Sequence, residues 1–283
     1  MNPSPMRRRL AFFGTPAMAV PSLHALVEAG HDVALVVTRV DKRRGRGNEM
    51  MPSPVKAAAL ELGLPVSHRV DDVLGLGVEL GVVVAFGQLI RPHVLAEVPM
   101  VNSHYSLLPR WRGAAPVERA LLAGDEETGV CVMQLEEGLD TGPVFDTVRV
   151  PIGARTTGDE LRRALVAAGV AQLVRCLAAP LPEPAAQVGE PVYAAKLTVE
   201  DLHIDWRAEP AIIDRQVRLG GAWTTFRGRR MKVLETRLEG DGTSLTSPLE
   251  GLTVVRVQPE GKGPMPLTDF VRGARPEPGE RFA

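Results

Sequence analysis

Two short stretches hold the densest polar chemistry in this 283-residue chain. One runs Asn102, Ser103, His104, Tyr105, Ser106, Leu107, Leu108, Pro109, Arg110, Trp111, Arg112, Gly113; the other is Gly138, Leu139, Asp140, Thr141, Gly142. An apolar lead-in ends at Val101, so Asn102 and His104 fall where a strand gives way to a loop, two residues apart and facing one side. If the fold brings Asp140 to them, the three suit an acyl centre. Asn102 and His104 donate to an oxygen that becomes negative, and Asp140 orients the imidazole or accepts a proton. No hydroxyl or thiol need act as nucleophile, so an incoming amine would attack directly. A single histidine at a strand end is also a common structural residue, and these positions alone leave that alternative open.

Positioning such residues falls to alternating strands and helices. Residues 10–13 read as a buried strand, Gly14, Thr15 and Pro16 as a turn, and Val20, Leu23 and Val27 as one face of a helix ended by Gly30. This is the opening unit of a doubly wound sheet, and its glycines do not follow Gly-x-Gly-x-x-Gly, which argues against a dinucleotide site. A second strand at 33–38 leads into a loop carrying Arg39, Lys42, Arg43, Arg44 and Arg46 against the single acid Asp41, either a phosphate-contacting element or a solvated loop. Ser53 as N-cap and Pro54 at the first helical position start a helix that runs to Leu62.

The apolar run at 82–86 suits a central parallel strand, and a further strand spans 100–104. The loops after them emerge at the carboxyl edge of the sheet, where ligands of such folds sit. Phe86, Gly87, Gln88, Leu89 and Ile90 would offer a flat heterocycle an apolar wall with exposed backbone; the alternative is a plain core strand and its connection. A helix at 116–122, strands at 130–135 and 144–150, and a long helix opened by a Thr157–Glu160 capping box complete this part. Leu161, Leu165, Val170, Leu173 and Leu177 mark the buried face of that helix.

From 178 to 191 proline, alanine and glutamate dominate, as in a linker. Beyond it come a helix around 212–218 and strand candidates at 222–226, 231–236 and 252–257. Between Trp206 and Arg237 eight basic residues face three acidic ones, enough for an RNA backbone footprint or for a surface that balances acids elsewhere.

Composition sets outer bounds. With 45% hydrophobic and 24% charged residues, the chain has room for one large domain and one small one. A net charge of -1 excludes a globally basic nucleic-acid coat protein but not local RNA contact. Cys131 and Cys176 have no metal or disulfide spacing, which fits a reduced cytoplasmic protein. Arg7 to Arg9 before an apolar run superficially resembles a leader peptide, but Gly14 and Pro16 break the run too early, and no segment is long enough to span a bilayer.

Taken together, Asn-x-His-x-Ser-Leu-Leu-Pro at 102–109, Arg112-Gly113 and Gly-Leu-Asp-Thr-Gly at 138–142 resemble the 10-formyltetrahydrofolate-dependent formyltransferases. Met51-Pro52-Ser53-Pro54-Val55-Lys56, Trp111-Arg112, Tyr193-Ala194, Ile204-Asp205-Trp206 and Gln258-Pro259-Glu260-Gly261-Lys262 extend the similarity over nearly the whole chain and narrow it to the branch acting on methionyl-tRNA. The fold so implied is α/β: a doubly wound, mostly parallel, Rossmann-like catalytic domain at 1–178, a linker at 179–203, and a tRNA-binding domain at 204–283 resembling a shortened OB-like open barrel.

The resemblance also implies a catalytic trio of Asn102, His104 and Asp140 and a folate-binding run of Ser106, Leu107, Leu108 and Pro109. It implies tRNA contacts from Arg39, Lys42, Arg43, Arg44 and Arg46 and from Arg227, Arg229, Arg230 and Lys232. Initiator methionyl-tRNA would be the acceptor, 10-formyltetrahydrofolate the donor, and the enzyme a cytoplasmic monomer needing no metal. Formyl transfer to another amine, such as an amino sugar nucleotide, is the main rival; formate release and ligand binding without turnover are the others. The sequence departs from the family at Asn48 and Glu49, at Leu219-Gly220-Gly221, at Tyr105 and in a shortened stretch at 239–252.

Overall fold

The computed structural model describes residues 6–44 and 49–283. Arg46 and Asn48 therefore lie outside the described residues. In chain order the elements are β1 (Arg9–Gly14), α1 (Val20–Glu28), β2 (Asp32–Val37), β3 (Lys42–Arg44), β4 (Glu49–Met51), α2 (Pro54–Glu61), β5 (Val66–Ser67), β6 (Leu80–Val84), α3 (Pro92–Glu97), β7 (Met100–His104) and β8 (Arg112–Gly113). There follow α4 (Pro116–Ala123), β9 (Glu127–Gln134), β10 (Val144–Pro151), α5 (Gly158–Leu177), β11 (Tyr193–Ala194), α6 (Pro210–Leu219), β12 (Trp223–Phe226), β13 (Arg229–Arg237), β14 (Thr253–Pro259), β15 (Met265–Pro266) and α7 (Leu267–Ala274). They fall into two compact units. The described residues of Met1–Pro116, with Glu127–Pro151 and Arg162–Ala194, form the first; Val117–Glu126, Ile152–Leu161 and Ala195–Ala283 form the second.

The first unit is built on a seven-stranded sheet ordered β10-β9-β7-β6-β1-β2-β5. Pairings from β5 through β7 are parallel, and β9 and β10 are added antiparallel. All five residues of β6 are buried, as expected of an apolar run with a strand on either side. The chain leaves β1 toward β2 and β5, then returns to the other side of β1 as β6 and β7, so the strand order reverses between β1 and β6. Loops at that reversal diverge and open a crevice at the carboxyl ends. Thr15 Oγ1 bridges it by donating to the Phe86 carbonyl at 3.1 Å.

Helix starts follow the expected chemistry. Ser53 accepts from the Lys56 N–H at 3.0 Å with Pro54 in the first turn, and Thr157 and Glu160 exchange reciprocal hydrogen bonds before α5. Two readings shift. β6 ends at Val84 because Ala85 adopts a left-handed φ of 47°, so Phe86 belongs to the loop. On α5 the small residue Gly169 is buried where Val170 was expected, while Leu161, Leu165, Leu173 and Leu177 are buried as expected.

The second unit is a four-stranded antiparallel meander, β12-β13-β14-β15, with α6 packed on β13 and α7 on β14. Ile213, Val217, Phe226, Val233, Val257 and Leu267 belong to its core. The stretch from 239 to 252 contributes two isolated bridges, Asp241 with Glu250 and Leu249 with Leu252, rather than a strand pair. The free side of β12 is covered instead by backbone exchange between Thr225 and Ala283 at 2.9 and 3.0 Å and by the Ile204 N–H on the Trp223 carbonyl at 2.8 Å.

Asp214 on α6, only 1% exposed, is the charge on which this unit depends. It accepts from Thr236 Oγ1 at 2.8 Å, Arg218 Nε at 2.8 Å and Arg155 Nη1 at 3.3 Å. Asp214→Ala leaves the guanidinium of Arg218 buried without its partner, and chemical denaturation should show a loss of about 3–5 kcal/mol; a loss below about 1 kcal/mol would show that the ion pair is dispensable.

Candidate active site

β7 places Asn102 and His104 on one face, as the alternation of a strand requires, and the loop after β9 carries Asp140 to that face. Asn102 Nδ2 donates to Asp140 Oδ1 at 3.3 Å, and His104 Nδ1 lies 3.7 Å from Asp140 Oδ2. The backbone N–H of Gly113 donates to the same Oδ2 at 2.8 Å. His104 and Asp140 are 6% and 11% exposed, so the carboxylate works largely out of bulk water, where its hydrogen bonds count for more.

His104 Nε2 lies 2.9 Å from the Trp111 carbonyl. A carbonyl can only accept, so Nε2 carries a proton and Nδ1 is the nitrogen turned to Asp140. Trp111 has a left-handed φ of 65° that aims its carbonyl back at the histidine. Asp140 is likewise left-handed at φ 51°, a conformation aspartate tolerates better than most residues.

The loop from 106 to 111 folds back on itself. Ser106 is fully buried and donates through Oγ to the Arg110 carbonyl at 2.6 Å; the Leu108–Pro109 peptide is cis, and Leu107, Leu108 and Pro109 are half-buried. On the neighbouring loop, Gly87, Gln88 and Leu89 are exposed, with Leu89 at 79%, whereas Phe86 and Ile90 are buried among Phe13, Val83 and Val94. The exposed part of this wall is thus three residues wide. Tyr105 turns to the opposite face, against Gly169 of α5 and Ser22 of α1.

No thiol competes as nucleophile at this centre: Cys131, paired across the sheet with His104, is buried and held protonated by desolvation. Among the described residues no group of three His, Cys, Asp or Glu side chains is arranged to hold a metal ion.

Gln187 was not legible as a site residue. Gln187, in the stretch read as linker, accepts from Arg112 Nε at 3.0 Å and Nη2 at 2.6 Å and donates to the Asp140 and Gly142 carbonyls, both at 2.8 Å. Nearby, β11 pairs in parallel with β8, and Ala185 and Val144 exchange backbone bonds at 2.7 and 2.8 Å. Nothing in the local composition announces these contacts.

Residues matched to tRNA contact lie in two places. Arg39, Lys42 and Arg43 are exposed in the first unit, with Lys42, Arg43 and the Arg44 backbone in β3, which forms a hairpin with β4 where a plain loop was expected. Arg227, Arg229, Arg230 and Lys232 are exposed on the β12–β13 hairpin of the second unit. Arg227 is engaged by Glu280 at 2.6 and 2.8 Å, which lessens its free charge, while Arg230 lies over the Trp223 ring at 4.1 Å.

Residues 8–177 match the family model described as Formyl transferase, and residues 196–275 match Formyl transferase, C-terminal domain. Curated methionyl-tRNA formyltransferases of Dinoroseobacter shibae and Ruegeria pomeroyi are 44% and 42% identical, each alignment covering 94% of this chain and 97% of the relative. The chain belongs to the methionyl-tRNA formyltransferase family. A solved methionyl-tRNA formyltransferase from Clostridium thermocellum shares the fold at a TM-score of 0.62 and 15% identity, over 91% of this chain and all of that one. The doubly wound sheet with a C-terminal antiparallel sheet is thus the family's architecture.

Two outcomes follow from this geometry. A Cβ at Gly142 would sit 2.0 Å from the Gln134 carbonyl oxygen, so Gly142→Ala must displace the Asp140 loop. Formyl transfer should fall by about a hundredfold with the far-UV circular dichroism unchanged; wild-type turnover would mean the loop position is immaterial. Burial pushes the Tyr105 hydroxyl from 10.0 up to about 12, the Ser22 hydroxyl offsetting this in part. The unfolded chain then ionises first, so this contribution to stability is intact below pH 10 and is lost as pH climbs toward 12, by about 2–3 kcal/mol at most. Urea melts at pH 11 should show Tyr105→Phe losing less stability than wild type relative to pH 8, and equal losses would contradict it.

Proposed function

We propose that this chain transfers a formyl group from 10-formyltetrahydrofolate to the amino group of methionyl initiator tRNA, as a monomer in the cytoplasm, with Asn102, His104 and Asp140 as its catalytic residues. The observation that carries the reading is the placement of the Asn102 amide at 3.3 Å and of the His104 imidazole at 3.7 Å from one largely buried carboxylate, Asp140, at the sheet's carboxyl edge. The family's donor is a folate, and the exposed backbone at Gly87, Gln88 and Leu89 with the 106–109 loop gives a flat ring one apolar and one polar border. Among the described residues no helix is long and apolar enough to cross a membrane.

The acceptor amine attacks the formyl carbon, and negative charge develops on the formyl oxygen. Asn102 has two amide hydrogens and spends one on Asp140, so the other is free to reach that oxygen. The His104 Nε2–H is spent on the Trp111 carbonyl in this structure and becomes the second donor when the substrate's oxygen takes over that contact. The Asn102 amide is already held in place by Asp140, so its part in stabilising the oxyanion requires little reorganisation. The proton lost by the attacking amine passes to Asp140, directly or through one water, and returns to the folate nitrogen as the carbon–nitrogen bond to folate breaks. Product amide and deformylated folate balance the reactants, and no metal or redox step enters. Exposed cations on β3 and on the β12–β13 hairpin serve the RNA backbone, so affinity for the charged tRNA should fall steeply with salt.

Single-turnover transfer to methionyl initiator tRNA, beside free methionine and uncharged tRNA, tests this. Transfer should occur only to the charged tRNA, and His104→Ala should slow it by about 10²- to 10⁴-fold. Folate binding without transfer to the charged tRNA would sink the tRNA reading and direct the search to small amine acceptors.

A further inference from the structure

Gln187 uses both ends of its amide, and its partners fix which end faces which. The guanidinium of Arg112 can only donate and the carbonyls of Asp140 and Gly142 can only accept, so Oε1 must face the arginine and Nε2 the loop. Arg112 is followed in sequence by Gly113, whose N–H donates to Asp140 Oδ2 at 2.8 Å. The contacts therefore close a ring: the Asp140 carboxylate, Gly113 N–H, the Arg112 guanidinium, the Gln187 amide, and back to the Asp140 carbonyl. We infer that Gln187 is a positioning residue for formyl transfer, holding the left-handed backbone of Asp140 at an angle from which one carboxylate serves both Asn102 and His104.

This inference rests on the catalytic reading of Asp140. Aspartate tolerates the left-handed region better than most residues but still at a cost, so its surroundings must hold it there. The Gln187 amide supplies that constraint at the carbonyl, and the Gly113 N–H supplies it at the carboxylate. Without the amide donors the Asp140 and Gly142 carbonyls lose their anchor, and the carboxylate is free to tilt away from Asn102, whose hydrogen bond at 3.3 Å is already longer than the one from the Gly113 N–H at 2.8 Å. The segment after α5 thus contributes to the chemistry of the site as well as to chain connection.

Three variants decide the matter in the full-length protein. Gln187→Glu keeps an acceptor for Arg112 but turns a second oxygen toward the two carbonyls, and Gln187→Met removes donor and acceptor alike. If Gln187 positions Asp140, both lower kcat by about ten- to a hundredfold, with KM for either substrate little changed and the Gln187→Glu melting temperature near wild type. Retention of wild-type kcat by Gln187→Glu overturns the inference, because an amide that only secured Arg112 would be replaced without loss. So does a rate loss that tracks a fall in melting temperature and recovers on cooling. Asp140→Asn separates the two levels: a slow Asp140→Asn beside a fast Gln187→Glu sinks only the role of Gln187, while a fast Asp140→Asn sinks the reading of Asp140 and this inference with it.

Discussion

A nearly buried carboxylate must be hydrogen-bonded, and at Asp140 that requirement organises everything around it. Its oxygens take an amide N–H from Asn102 and a backbone N–H from Gly113 and face the His104 ring. Each partner then makes its own demand. β7 must present Asn102 and His104 with strand alternation, and Trp111 must turn its carbonyl to His104. β8 must pair with β11 so that the Gly113 N–H points inward. The seven-stranded sheet supplies the first of these through the buried strands flanking β7. Electrostatics thus sets the geometry, and hydrophobic burial sets how firmly it is held.

The same logic recurs at Asp214 in the second unit, where a buried carboxylate ties α6 to β13 through Thr236 and to Arg155 and Arg218. One carboxylate holds the Asn102 amide and faces the His104 ring; the other joins elements. What distinguishes them is position: Asp140 lies on a loop at the carboxyl end of β7, and Asp214 sits where a helix packs on a strand.

Much of this was readable in the residues. The apolar runs of β1, β6 and β7, the capping of α2 by Ser53, and the Thr157–Glu160 box each have a local cause, and the structure realises them within a residue or two. Asn102, His104 and Asp140 were legible because a strand period and two motifs place them. Gln187 was not, since its partners lie 45 to 75 positions away in the chain and proline and alanine around it signal only a connection. Asp214 was hidden for the opposite reason: charged residues on an amphipathic helix usually face water, and nothing local marks this one as turned inward. The β3–β4 hairpin was masked by its run of arginines, a composition that fits a loop as readily as an exposed arm.

If Asn102 and Asp140 act as one unit, a double-mutant cycle on the rate of formyl transfer will show it. Asn102→Ala, Asp140→Ala and the pair would be compared under single-turnover conditions. Residues that work as a unit are grossly non-additive, so the double variant should be no slower than the worse single one. Rate losses that multiply would show the two side chains acting independently, and the shared carboxylate would then be a structural contact beside the chemistry rather than its organising charge.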